Sequence, residues 1–181
     1  MLTSFCVMDK AVDDNFINHV IEVSKRFDTN EGGIGAYNDL REDLRRSDIA
    51  WLEDAQIDVV LSEMVYAANV DFYGVELNGR LMHQFSEYKG EDDGFIGWHS
   101  DVTIPHRNYS DRKLTCVTML SDKSEYEGGT LKLQYGHEPI ELTLEKGQAI
   151  MFPSYILHKV EPVTSGMRRT LVTWAHGPHW R

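Results

Sequence analysis

The feature that most constrains this chain is a change of hydrophobic period near residue 70. Beyond it, short runs rich in β-branched and aromatic residues follow one another, broken by Gly, Asn, Asp or Pro. Strands are expected near 81–88, 95–99, 113–121, 129–135, 139–144, 148–152, 156–162 and 168–175. "KLTCVTML" and "RRTLVTWA" are the clearest of them. Many short strands with no helix between them can bury their apolar faces only against one another, which means a sandwich, barrel or jelly roll.

The earlier part reads as helical. Asp13 and Asp14 can cap a segment that carries Phe16, Ile17, Val20, Ile21 and Val23 on roughly one face. A Gly- and Asn-rich loop, "TNEGGIGAYND", follows at 29–39. Ser47 or Asp48 then precedes a second helical pattern with Ile57, Val60, Leu61, Met64, Val65 and Ala68. The expectation is a mainly β fold with N-terminal helices. One domain spans 1–181, with helical support over about 11–70 and a jelly-roll core over about 71–181. The helices should cover one outer face of the core.

The chain has 181 residues, 18 basic against 29 acidic, for a net charge of −11. That is a poor match for a phosphate backbone, so no nucleic-acid partner is expected. Cys6 and Cys116 are the two cysteines, far apart in sequence, and read as free thiols of a reducing compartment. The N-terminus does not read as a signal peptide, and no apolar run approaches a membrane span. A cytoplasmic protein without a membrane partner is expected.

"GWHSDVTIPH" holds His99 and Asp101 two residues apart. On a strand such residues face the same way, so both can reach one ion. With one more His they make a 2-His-1-carboxylate set, which suits Fe(II) and leaves open coordination positions. The pair alone is weak evidence, because such triplets arise by chance. Of the eight histidines, His19 reads as a helix residue, His83 as packed in a strand, and His106 as a loop residue. His137 falls in a turn. His176 and His179, near the C-terminus, read as solvated or capping. His158 differs, because ten residues later "RRTLVTW" opens an apolar strand with Arg168 and Arg169. An inward Arg168 needs a carboxylate, and a dicarboxylate ligand would satisfy it in bidentate fashion. Thr170 shares its face and can donate a hydrogen bond. A surface Arg paired with Asp or Glu is the plainer alternative.

Taken in order, "YKGEDDGFIGWHSD", "RKLTCVTMLSD", "YEGGTLKL", "KGQAIMFPS" and "LHKVEPVTSGMRRTLVTW" resemble the Fe(II)/2-oxoglutarate dioxygenases, most closely their prolyl 4-hydroxylase-like branch. The resemblance covers roughly residues 81 to 175. It implies a double-stranded β-helix with helices on one face. It also implies His99, Asp101 and His158 as iron ligands, and Arg168 on the distal carboxylate of 2-oxoglutarate. Tyr88 would lie close to that co-substrate and Trp174 would wall its pocket; plain core packing is the alternative for both. Fe(II), 2-oxoglutarate and O2 are the implied cofactors, with ascorbate as an optional addition. The implied reaction hydroxylates an unactivated carbon, prolyl 4-hydroxylation of a peptide or protein, and releases succinate and CO2. One departure matters. Where some relatives place a tyrosine on the distal carboxylate, this chain has Met119, which cannot donate a hydrogen bond. Thr170 could substitute.

The polar stretch 102–112 reads as a lid or substrate loop, and Trp98, Tyr109, Arg112 and Tyr155 as candidates for a peptide groove. A nucleic-acid demethylase of the same superfamily is disfavoured, because its second arginine is replaced by Trp174 and the charge is −11. A hydroxylase of a free amino acid or small metabolite stays open. A non-catalytic jelly-roll binding module is the reading from another class, and the intact ligand set with Arg168 weighs against it.

Overall fold

A computed structural model describes residues 5–31, 43–102 and 110–180. The first part contains β1 (Cys6–Met8), α1 (Asp14–Ser24), β2 (Asn30–Glu31), β3 (Arg45–Arg46), β4 (Asp48–Leu52) and α2 (Ala55–Ala68). Then come β5 (Leu81–Lys89), β6 (Phe95–His99), β7 (Asp111–Met119), β8 (Tyr126–Gly128), β9 (Leu131–Gln134) and β10 (Ile140–Leu142). The chain closes with β11 (Ala149–Pro153), β12 (Leu157–Val160) and β13 (Val163–Gly177).

All strand pairs are antiparallel. The larger sheet runs β1-β11-β7-β13-β5-β4-β2, with β8 also paired to β13; the smaller runs β10-β9-β12-β6-β3. From β5 onward the chain passes back and forth between the sheets, which is the wiring of a double-stranded β-helix. Between the sheets, Ile96, Leu131, Leu133 and Val160 meet Val117, Met119, Ile150 and Phe152 in one buried cluster. This inner core holds the two sheets face to face.

The helices lie on the outer face of the larger sheet. Phe16, Ile17, Val20, Ile57 and Leu61 pack on Ala50, Leu52, Phe85 and Leu171. Asp13 caps α1 as expected, accepting a 2.8 Å hydrogen bond from the Phe16 N–H. The cap of α2 differs from expectation. Asp54 holds it, accepting from the Gln56 and Ile57 N–H groups, while Ser47 and Asp48 border a strand. The reason is that "DIAWL" lies flat between β2 and β5, with Ala50 and Leu52 turned to the helices and Ile49 to the interior. The helical cover thus also supplies four strands, β1 to β4, to the sheets.

β13 begins five residues earlier than expected. Gly166, at φ +70°, makes this possible, because a Cβ there would lie 2.0 Å from the Glu125 carbonyl oxygen. Cys6 and Cys116 are both buried free thiols. Among the described residues no helix is long and apolar enough to cross a membrane.

Candidate metal centre

Two cross-strand neighbours build the centre. His99 ends β6 and lies directly opposite His158 on β12, with ring centroids 4.1 Å apart. The strand does not continue through Ser100. The chain bends, and the Asp101 N–H donates to the Ser154 carbonyl at 2.9 Å. That bond turns the Asp101 carboxylate back towards the two rings. His99 Nε2 is 3.8 Å from Asp101 Oδ1, and His158 Nε2 is 3.4 Å from Oδ2. One ligand atom from each of the three residues falls within 4.8 Å of the others. Ligands about 2.1 Å from a shared ion sit roughly 3 Å apart, so a small inward movement completes the set.

The tautomers follow from the partners. His99 Nδ1 lies 2.9 Å from the Gly97 carbonyl and His158 Nδ1 lies 2.8 Å from that of Ile156. A carbonyl only accepts, so each Nδ1 carries a proton, and Nε2 is the ring atom turned to Asp101 and available as a ligand. Asp101 Oδ2 accepts from Thr115 Oγ1 at 2.7 Å, and Thr115 lies 2.9 Å from Ser154 Oγ. Burial works against the Asp101 charge, but His158, His99 and Arg112 outweigh it and hold the carboxyl at about 2. Burial, and then the facing His158, push His99 down to about 4. His99 is therefore neutral and Asp101 ionised at neutral pH, the form in which such groups bind metal.

Arg168 points inward from β13 and is 1% exposed. Its Nε has no hydrogen-bond partner among the described residues. Burial lowers its pKa against the pull of Tyr88 and Tyr126. The Tyr88 ring centroid is 5.4 Å from Arg168 Cζ. Tyr126, on β8, was not singled out in the sequence. Its hydroxyl lies 3.9 Å from the Met119 sulfur and close to the guanidinium. The tyrosine missing at Met119 thus has a counterpart from another strand. The double glycine of "YEGG" clears the way, since a Cβ on Gly129, at φ +64°, would lie 2.7 Å from Arg168 Cδ. The tyrosine ahead of that pair was the available signal. Thr170 is buried on the same face as Arg168, opposite Met119 and Ser86. Arg169 takes the other face and pairs with Glu87 and Glu125.

Trp174 sits six residues along β13, roughly 20 Å from Arg168 at the usual strand rise. It lies at the Asp101 end, between Trp51 and Arg112. Its buried Nε1–H faces Asp101 without reaching hydrogen-bond geometry. Arg45, also not anticipated, is a buried guanidinium of the smaller sheet that donates to Gln84 Oε1 at 3.1 Å and bears on the charge of His99. His176 is 4% exposed, which rules out the solvated half of the solvated-or-capping role expected for it. Trp98 and Tyr155 are exposed. His106, Tyr109 and most of the 102–112 loop lie outside the described residues.

The 2OG-Fe(II) oxygenase superfamily model matches residues 83–176. A PKHD-type hydroxylase of Synechococcus sp. (strain CC9902) is 43% identical over 95 residues, 52% of this chain and 42% of that protein. One of Herminiimonas arsenicoxydans is 36% identical over 121 residues, 64% of this chain and 52% of that protein. The chain spans about half the length of these curated relatives. Among solved structures, a Pseudomonas putida prolyl-4-hydroxylase superposes with a TM-score of 0.74 at 18% identity, covering 95% of this chain and 92% of its own. A Trichoplax adhaerens prolyl hydroxylase, solved with a hypoxia inducible factor peptide, gives 0.78 at 16% identity, covering 96% and 84%. The family works with Fe(II), 2-oxoglutarate and O2, and the donor set fits them. The chain belongs to the 2OG-Fe(II) oxygenase superfamily.

Proposed function

We propose that this chain hydroxylates an unactivated carbon in a peptide or protein, the 4-position of a proline, at the expense of 2-oxoglutarate. The observation that carries the reading is Arg168. A His–Asp–His set alone suits several metals. A fully buried guanidinium whose Nε lacks a partner, and that pairs with no carboxylate among the described residues, asks for an anion, and a buried charge left unpaired costs several kcal/mol. The five-carbon dicarboxylate of the family meets that need. The peptide assignment draws on the prolyl hydroxylases among its structural neighbours.

In this reading His99, Asp101 and His158 hold the iron. The Gly97 and Ile156 carbonyls fix the two rings, while Thr115 and the Ser154 backbone fix the carboxylate. Arg168 grips the distal carboxylate, with Tyr126 donating a second hydrogen bond and Tyr88 shielding the charge. Iron with bound co-substrate supplies the oxidising power that the side chains lack. Phe152, packed against the His158 ring at 4.9 Å, helps to exclude water.

The test is succinate formation from 2-oxoglutarate by protein loaded with iron without oxygen and then aerated, with and without a proline-rich peptide panel. Succinate that is stimulated by a peptide and lost in His99→Ala and Arg168→Ala is the expected result. Absence of both turnover and 2-oxoglutarate binding defeats the oxygenase reading. Stimulation by free amino acids and by no peptide defeats the peptide assignment alone.

A further inference from the structure

We infer that the Trp174 end of the centre carries a carboxylate-binding subsite for the primary substrate, formed by Arg112, Arg80 and His176. The inference rests on the oxygenase reading for what the neighbouring centre does. A register shift between Ala175 and His176 sets Arg112 opposite His176 and brings its guanidinium onto the Trp174 ring, 3.8 Å from the centroid. Arg80 approaches from the other side of β13. Its carbonyl accepts the His176 N–H at 3.0 Å, and its Nη2 lies 3.7 Å from the sulfur of Met82, the residue opposite Trp174.

Neither arginine has an ion-pair partner among the described residues, although the chain carries eleven more acidic than basic residues. Asp111, the nearby carboxylate, is engaged with His179 and the Trp180 N–H. His176 supplies a second and independent sign. It is 4% exposed, its Nδ1 faces Ser110 Oγ at 3.2 Å, and its Nε2 is buried without a partner among the described residues. Burial, then Arg80 and Arg112, push it down to about 4, so it stays neutral beside two fixed cations.

Two like charges gathered beside an unpartnered ring nitrogen are stabilised by an anion. The guanidinium stacked on Trp174 presents its N–H edge in plane, which matches a planar carboxylate. Asp101 is close enough to feel Arg112, and a dianion would meet twice the repulsion from it that a carboxylate meets. A substrate carboxylate held here would fix which carbon faces the iron. It enters either as a free α-carboxylate or as an acidic side chain beside the reacting residue.

Anaerobic calorimetry on iron- and 2-oxoglutarate-loaded protein tests this with paired probes. N-acetyl-L-proline against N-acetyl-L-prolinamide reports a free α-carboxylate. Acetyl-Ala-Pro-Asp-amide against acetyl-Ala-Pro-Asn-amide reports a side-chain carboxylate. The acid of one pair should bind at least about tenfold more tightly than its amide. Arg112→Gln should erase that preference, Arg112→Lys should keep part of it, and Arg80→Gln should reduce it. Acid and amide that bind alike or not at all in both pairs overturn the subsite. So does a preference that survives Arg112→Gln, or displacement of the acid by inorganic phosphate at lower concentration. 2-Oxoglutarate titrated separately into each protein reads the oxygenase centre, so its failure and that of the subsite are told apart.

Discussion

The two faces of the larger sheet are built from the same strands and do opposite work. On β13, Leu171 and Ala175 face outward into apolar clusters, whereas Arg168, Thr170 and Trp174 face inward. On β5, Phe85 faces the helices, while Gln84, Ser86 and Tyr88 line the interior beside them. A sandwich interior is normally its driest and most apolar part. Here the stabilising apolar contacts are shared between the helix-covered face and part of the interior, and the rest of the interior is given over to polar groups. Those groups cost stability and gain function only when a ligand arrives. The comparison predicts that inner and outer substitutions separate cleanly into losses of binding and losses of fold.

Arg168→Met gives the largest expected effect. The affinity for 2-oxoglutarate should fall by at least about 100-fold, roughly 3 kcal/mol, as two charge-assisted bonds are lost. The same change should raise the melting temperature of the ligand-free protein, since an unpaired buried charge is replaced by an apolar chain of similar length. Calorimetry and a thermal melt check the two halves. A fall in both would mean that Arg168 is structural, and would break the contrast between the faces.

Leu171→Ala, one strand face away, should do the reverse. Leu171 is 0% exposed beneath the helices, and its truncation should cost about 2–5 kcal/mol in a denaturant titration. 2-Oxoglutarate affinity measured well below the melting point should stay within about twofold of the parent. A large loss of affinity would show that the faces are coupled through the backbone of β13.

How much of this was legible in the sequence depended on the range of the signal. The strands from 81 to 175 were readable because alternation and turn residues are local. The candidate ligand set came from the family resemblance: His99 and Asp101 are near neighbours, but without the family's motif order nothing in the sequence joins His158 to them. β4 was hidden, since five residues that end against a helix cap look like the run-up to that helix. Ser47 and Asp48 carry cap chemistry without being caps. Tyr126 was hidden for another reason. It reaches Arg168 through the pairing of β8 with β13, a contact that no spacing announces. His176 was misjudged because nearness to the C-terminus was equated with exposure, yet β13 runs to Gly177 through the middle of the larger sheet.

Tyr126→Phe sharpens the comparison within the inner face. Loss of one hydroxyl donor should weaken 2-oxoglutarate about tenfold, near 1.4 kcal/mol, and leave the melting temperature almost unchanged. Pyruvate shares the keto-acid end and lacks the distal carboxylate, so its weaker binding should not respond. A loss common to both ligands would place Tyr126 in general packing rather than on the distal carboxylate. Thr170→Val in the same assay tells whether that hydroxyl also contributes.

The smallest effect belongs to the outer face, where a few polar groups lie among the apolar ones. His83, 3% exposed, has Nε2 2.8 Å from Asp58 in the first turn of α2 and Nδ1 2.9 Å from Thr173 Oγ1. It fastens the helix to the sheet. Burial lowers its pKa below the usual 6.5, and the Asp58 carboxylate only partly offsets this. The sign follows. As pH falls through 6.5 the unfolded chain takes up the proton first, so stability present at higher pH is lost from there down to the lower folded value. Asp58 is more than half exposed, and solvent screening keeps the pair weak. His83→Gln should therefore lower the melting temperature at pH 8, yet show a smaller further drop on going to pH 5.5 than the parent does. The difference between the two drops should be a few degrees or less. Equal drops would mean that Asp58 cancels the effect of burial, and a smaller drop in the parent would mean that His83 is held protonated in the fold as an ion pair with Asp58.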